Sequence, residues 1–70
     1  MTDIKIKDEF IRLDQALKLC GACDSGSDAK YAVQDGEVKV NGETELRRGR
    51  KLRPGDTFSA GGHDYRITGA

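Results

Sequence analysis

Apolar residues recur along this chain with two spacings, one helical and one extended, and the change from the first to the second falls near residue 37. Ile4 and Ile6 alternate with Lys5 and Lys7, which predicts a short strand. Its lysines suit a sheet edge, where they discourage pairing with another chain. Leu13, Ala16, Leu17 and Cys20 then fall at i, i+3, i+4 and i+7, one apolar stripe over about two helical turns. Asp14 suits the positive end of that helix, and Gly21 marks its close. Asp24-Ser25-Gly26-Ser27 is turn chemistry, with Ser25 or Ser27 as the N-cap of a second, shorter helix and Ser25…Asp28 resembling a capping box. Ala29, Ala32 and Val33 would face the first helix, their small size allowing close approach, and Gly36 supplies a left-handed stop.

Beyond Gly36 the period is two. Val38 and Val40 share one face, and Asn41-Gly42 is the strongest short signal for a tight type I′ hairpin. The returning segment runs from Glu43 through Leu46 into a cationic run in which Gly49 interrupts any regular strand, predicting a bulge or loop. Arg53-Pro54-Gly55-Asp56 has the composition of a type II turn. Thr57–Ala60, Gly61-Gly62 and His63–Thr68 read as a last hairpin, with Phe58, Tyr65 and Ile67 inward. The pattern assigns most of the four aromatics to the core. These elements predict an α+β fold, two packed N-terminal helices against a small antiparallel twisted sheet.

Length then limits what such a fold can do. Seventy residues make one domain near the lower size limit for a self-sufficient core, so a roomy buried active site is not expected. The chain is 36% hydrophobic and 34% charged, with a mean hydropathy of −0.66, and nothing in it reads as a membrane span. The first eight residues lack the apolar core of a secretory signal, so the expected compartment is the cytoplasm, where disulfides are rare. A monomer with no cofactor and no small-molecule substrate is expected.

Charge changes the picture more than size does. The formal sum is zero, yet Arg47, Arg48, Arg50, Lys51 and Arg53 lie within seven residues that contain no acid. The other 63 residues carry seven bases and all 12 acids, so a segment of +5 faces a remainder of −5. Like charges this close repel by about 1 kcal/mol per pair in water, a cost that a polyanion would offset. Four of the five are arginines, whose planar fork meets phosphate oxygens bidentately. The competing readings are a solvated loop whose cations bond surface carboxylates, and an adaptor surface that docks an acidic protein. Few aromatics are left for stacking bases, and no helix carries the dense basic face of a major-groove reader. What remains is recognition of a folded nucleic acid by shape and backbone, with structured RNA favoured over DNA. If about four phosphates are neutralised, affinity should fall about a hundredfold between roughly 50 and 200 mM salt.

These residues carry a family resemblance. Arg12 to Glu43, RLDQALKLCGACDSGSDAKYAVQDGEVKVNGE, resembles the RNA-binding domain first named from ribosomal small-subunit protein S-four: Arg-Leu-Asp opening a helix, Ala-Lys in a second, then Gly-x-Val-x-Val-Asn-Gly. The continuation LRRGRKLRPGD is similar to the small stand-alone bacterial branch of that family, the YbcJ-like and YaaA-like proteins. The match covers about 60 of the 70 residues and places the motif core at about residues 12–60 of a single RNA-binding domain. It implies an αL-type motif that binds structured RNA, ribosomal or transfer RNA among the candidates, through the helix pair and adjoining hairpin without catalysis. The matching positions are Arg12, Lys30, Arg47, Arg48, Arg50, Lys51 and Arg53, and Lys18 is added from its place on the first helix. The loop Asp24 to Asp28 departs from the basic loop of many members, which shifts the expected contacts to the Arg47 to Arg53 run.

The other candidates for chemistry are weaker. Cys20-Gly21-Ala22-Cys23 with one His, at position 63, does not complete a four-ligand zinc site. The pair also closes a helix instead of opening one, so its thiols lack the dipole that activates redox cysteines. Cys20 reads as a small core residue and Cys23 as half-buried. Asp8-Glu9 reads as surface, and no Gly-rich nucleotide cradle occurs.

Overall fold

The computed structural model describes residues 1–69. Its elements in chain order are β1 (Thr2–Lys5), β2 (Ile11–Arg12), α1 (Leu13–Leu19), α2 (Gly26–Gln34), β3 (Lys39–Val40), β4 (Glu43–Thr44), β5 (Lys51–Leu52), β6 (Thr57–Ala60) and β7 (His63–Thr68).

Both helices bury the stripes their spacing predicts. Leu13, Ala16 and Leu17 of α1 and Ala29 and Val33 of α2 are fully buried, while Ala32 packs at the margin of the core. Cys20 corrects the core assignment made for it: it is the C-cap residue of α1 and lies half-buried against the core. Ser25, and not Ser27, is the N-cap of α2, its hydroxyl accepting the Asp28 N–H at 3.2 Å. At the other end Gly36, at φ 75°, lets its N–H reach the Val33 carbonyl and the Glu37 N–H reach that of Ala32, both at 3.1 Å. That pair of bonds is a Schellman closure, which satisfies two carbonyls the helix leaves open.

Five strands form one sheet in the order β1-β7-β6-β3-β4, and β2 and β5 form a separate antiparallel pair. Within the larger sheet β7, β6, β3 and β4 are antiparallel neighbours, but β1 runs parallel to β7, so the sheet is mixed and not purely antiparallel. Parallel pairing needs a long crossover, and here both helices and the intervening hairpins supply it. β1 occupies the edge, as its lysine alternation predicts, and Ile4 opposite Ile67 brings two buried side chains together. The strand begins earlier than the Ile4–Lys7 pattern suggests, although the Ile6 N–H still bonds the Thr68 carbonyl at 2.9 Å.

Asn41 and Gly42 have φ of 52° and 85°, positive at both turn positions as type I′ requires. The Asn41 N–H also bonds the Thr57 carbonyl at 2.8 Å and its Oδ1 accepts the Thr57 N–H at 3.0 Å, which stitches the hairpin to β6. Leu13, Leu17, Val33, Val38, Leu52 and Ile67 are the largest fully buried side chains, and Phe58 stacks on Tyr65 with ring centroids 5.0 Å apart. The other two aromatics escape the core assignment: Phe10 is 36% and Tyr31 61% exposed. Neither is held by a strand or helix stripe that faces inward. Among the described residues no helix is long and apolar enough to cross a membrane.

Candidate nucleic-acid interface

The cationic run is fixed at its backbone before any side chain is considered. α1 starts at Leu13 behind Arg12, an extended N-cap residue that offers no side-chain cap, so its first amides need other acceptors. The run supplies them. The Leu13 N–H bonds the Arg50 carbonyl at 2.8 Å and the Asp14 N–H bonds the Arg48 carbonyl at 3.0 Å. A turn closes between them, the Arg50 N–H reaching the Arg47 carbonyl at 3.2 Å. Immediately afterwards Lys51 pairs with Arg12 and Leu52 with Ile11, and Leu52 is fully buried. At the far end the Asp56 N–H bonds the Arg53 carbonyl at 2.9 Å across a turn in which Gly55 has φ 99°, as a type II turn requires. The expected returning strand through Leu46 is shorter, ending at Thr44, although the Glu45 N–H still bonds the Val38 carbonyl at 3.0 Å.

This backbone path gathers side chains. Arg47, Gly49, Arg50, Lys51 and Arg53 line one shallow, open concavity of about 480 Å³. Arg12 joins them from β2: a Cβ built on Gly49 would lie 3.9 Å from Arg12 Nη2, so its guanidinium lies beside the turn. Arg48 is exposed and anchors the run through its carbonyl, without lining the concavity. Lys18 is exposed near the opposite end of α1, and Lys30 is half-buried within α2; neither lines the concavity.

One buried carboxylate organises part of the cluster. Glu45 is 8% exposed and accepts Arg50 Nη1 at 2.8 Å, Arg47 Nη2 at 3.3 Å, Arg47 Nε at 3.4 Å and its neighbour's Leu46 N–H at 3.1 Å. The Arg50 bond, followed by the bonds and charge of Arg47, outweighs burial and holds its carboxyl down at about 2. Two guanidiniums share this single anion, so the group keeps a net positive charge. Arg12 pairs with Asp14 at 3.1 Å. Among the described residues Arg48, Lys51 and Arg53 make no ion pair. A loop in which each cation is neutralised by its own carboxylate is therefore not what the chain builds.

Sequence reading missed two residues here. Glu45 has a signal that could have found it: a two-residue turn at Asn41-Gly42 pairs Val40 with Glu43, and continuing the register sets Glu45 opposite buried Val38, whose carbonyl it bonds at 3.0 Å. Phe10 had none within its own segment. Lys51 Nζ lies 4.8 Å from its ring centroid, a contact that depends on the β2–β5 pairing.

Cys20 and Cys23 are free thiols, both half-buried, and burial first, then the charge of Asp28, pushes the Cys23 thiol up and away from thiolate. His63 is exposed where β7 leaves the Gly61-Gly62 turn. Among the described residues no three His, Cys, Asp or Glu side chains cluster as a metal site would require.

Known proteins match this architecture over nearly its whole length. Residues 4–68 fit the model of the S4 domain. YbcJ of Escherichia coli (strain K12) is 39% identical over 61 residues, 87% of each chain. A Bacillus subtilis (strain 168) protein named as a probable ribosome maturation protein, RlbA, is 46% identical over 59 residues, 84% of this chain and 83% of that one. The solution structure of E. coli YbcJ, described as having an αL motif involved in RNA-binding, superposes with a TM-score of 0.74 at 36% identity, covering 97% of this chain and 87% of that one. With the helix pair, the hairpin and the concavity all inside the matched span, the chain belongs to the S4 domain family.

Proposed function

We propose that this chain is a non-catalytic RNA-binding module that grips structured RNA by its phosphate backbone, acting as a monomer in the cytoplasm. The observation that carries the reading is the concavity itself: four cations line it, its floor is tied to the first turn of α1, and one shared carboxylate leaves the cluster positive. Arg47, Arg50, Lys51 and Arg53 hold phosphates, Arg12 and Arg48 extend the contact around the Gly49 turn, and Lys18 and Lys30 are outlying contacts on the helix pair. Fixing guanidiniums before binding reduces the ordering cost of each contact, which suits a grip on shape without a base code. The αL motif of YbcJ supports RNA as the polyanion, and the name of the B. subtilis relative supports ribosomal RNA as its kind. Neither points to an acidic protein partner.

Replacing Arg47, Arg48 and Arg50 together by Glu tests the assignment in a gel-retardation titration with a stable RNA hairpin. Retardation is expected to disappear while the circular dichroism spectrum remains that of the folded chain. A folded variant that binds as well as the parent would overturn the reading.

A further inference from the structure

Phe10 lies beside the cationic concavity. It directly precedes β2, whose Arg12 pairs with Lys51, and Lys51 both lines the concavity and sets its ammonium 4.8 Å from the Phe10 ring centroid. The ring is 36% exposed, which leaves part of it open to a ligand. It is not explained as a helix staple, since the staple position directly before the Arg12 cap belongs to Ile11, which packs against the core. The residues before it, Lys7, Asp8 and Glu9, are all exposed.

We propose that Phe10, held beside Lys51, is a stacking position for one unpaired nucleobase of the RNA whose phosphates occupy the concavity. This rests on the RNA-binding reading above and adds a preference to it: duplex RNA interrupted by an extruded or unstacked base over uninterrupted duplex. The physical basis is direct. Every base has a π face, an exposed aromatic accepts it without regard to sequence, and the adjacent cation is placed to take the phosphate of the same nucleotide.

The experiment uses two RNAs, a blunt duplex and the same duplex carrying one bulged adenosine, with the parent chain and Phe10→Ala, Phe10→Leu and Phe10→Trp. Phe10→Ala and Phe10→Leu are expected to bind the bulged RNA about tenfold more weakly than the parent, and the blunt duplex within about twofold. The chain contains no tryptophan, so Phe10→Trp introduces a single reporter. It should restore affinity for the bulged RNA, and its fluorescence should be quenched on binding. Equal losses on both RNAs, full affinity in Phe10→Leu, or unquenched tryptophan in a complex that forms would each overturn the stacking position and leave the phosphate grip standing. A parent chain that retains neither RNA would overturn both.

Discussion

Two loops flank α1, and they are built in opposite ways. The Arg47 to Arg53 run docks on the N-terminal end, where its carbonyls cap Leu13 and Asp14, Leu52 is buried behind it and Glu45 braces two of its arginines. The loop after the C-terminal end, Asp24 to Asp28, is bonded locally, through the Asp28 N–H to Ser25 Oγ at 3.2 Å. A helix dipole favours acids at its N-terminal end, so the cationic run stands at the end of α1 that suits its charge less, whereas Asp28 lies in the first turn of α2, which suits it. The penalty is small for a helix of seven residues. The arrangement puts a backbone-anchored cationic run at one end of α1 and an acidic turn beyond the other. A site is set apart here by how firmly its charges are held as much as by their number.

Removing the anchor of the cationic loop should have the largest effect. Leu52→Ala deletes a fully buried side chain at a cost of about 2–5 kcal/mol, against a total of roughly 4–10 kcal/mol for a domain of this length. The melting temperature should drop by about 10 °C or more, and a shift of only a few degrees would show that Leu52 does not pin the loop.

Glu45→Gln separates charge from positioning. It adds one unit of positive charge, so charge counting predicts tighter RNA binding, whereas loosened arginines predict binding roughly threefold weaker, the outcome expected here. Stability should fall by about 1–3 kcal/mol at neutral pH. Because the folded carboxyl titrates at about 2 and not at its usual 4.5, the stability it contributes is present above pH 4.5 and lost as pH falls toward 2. The gap between parent and variant in acid melts should close across that window. A gap that does not vary with pH would assign the stability to packing instead.

Asp24→Lys should do least. The site is exposed, so stability should stay within about 0.5 kcal/mol. The slope of log affinity against log salt should also stay unchanged, because the acidic loop is not expected to meet the RNA. A slope steeper by about 0.9 would place one more phosphate against that loop and erase the contrast between the two ends.

Features set by near neighbours in the chain were legible. The buried stripes of both helices, the type I′ turn at Asn41-Gly42, the type II turn at Pro54-Gly55 and the Gly61-Gly62 hairpin all follow from local spacing and backbone preference, and they recur in the structure. The cationic run was visible as composition. Its attachment to α1 was not, because carbonyls of Arg48 and Arg50 meeting amides of Leu13 and Asp14 is a contact across more than thirty residues that no period encodes. The same distance hid the parallel partnership of β1 with β7 and the placing of Lys51 over Phe10. Glu45 lies between these cases, readable only by carrying the hairpin register one residue past the end of its strand.

The partnership of Thr2–Lys5 with Tyr65–Thr68 has a consequence for how the molecule comes into being. β1 can pair only after β7 has been made, so this edge of the sheet closes late in the synthesis of the domain. Until then the apolar side chains of Ile4 and Ile6 lack their native cover, and nascent chains interrupted before residue 65 leave that early segment open to other partners.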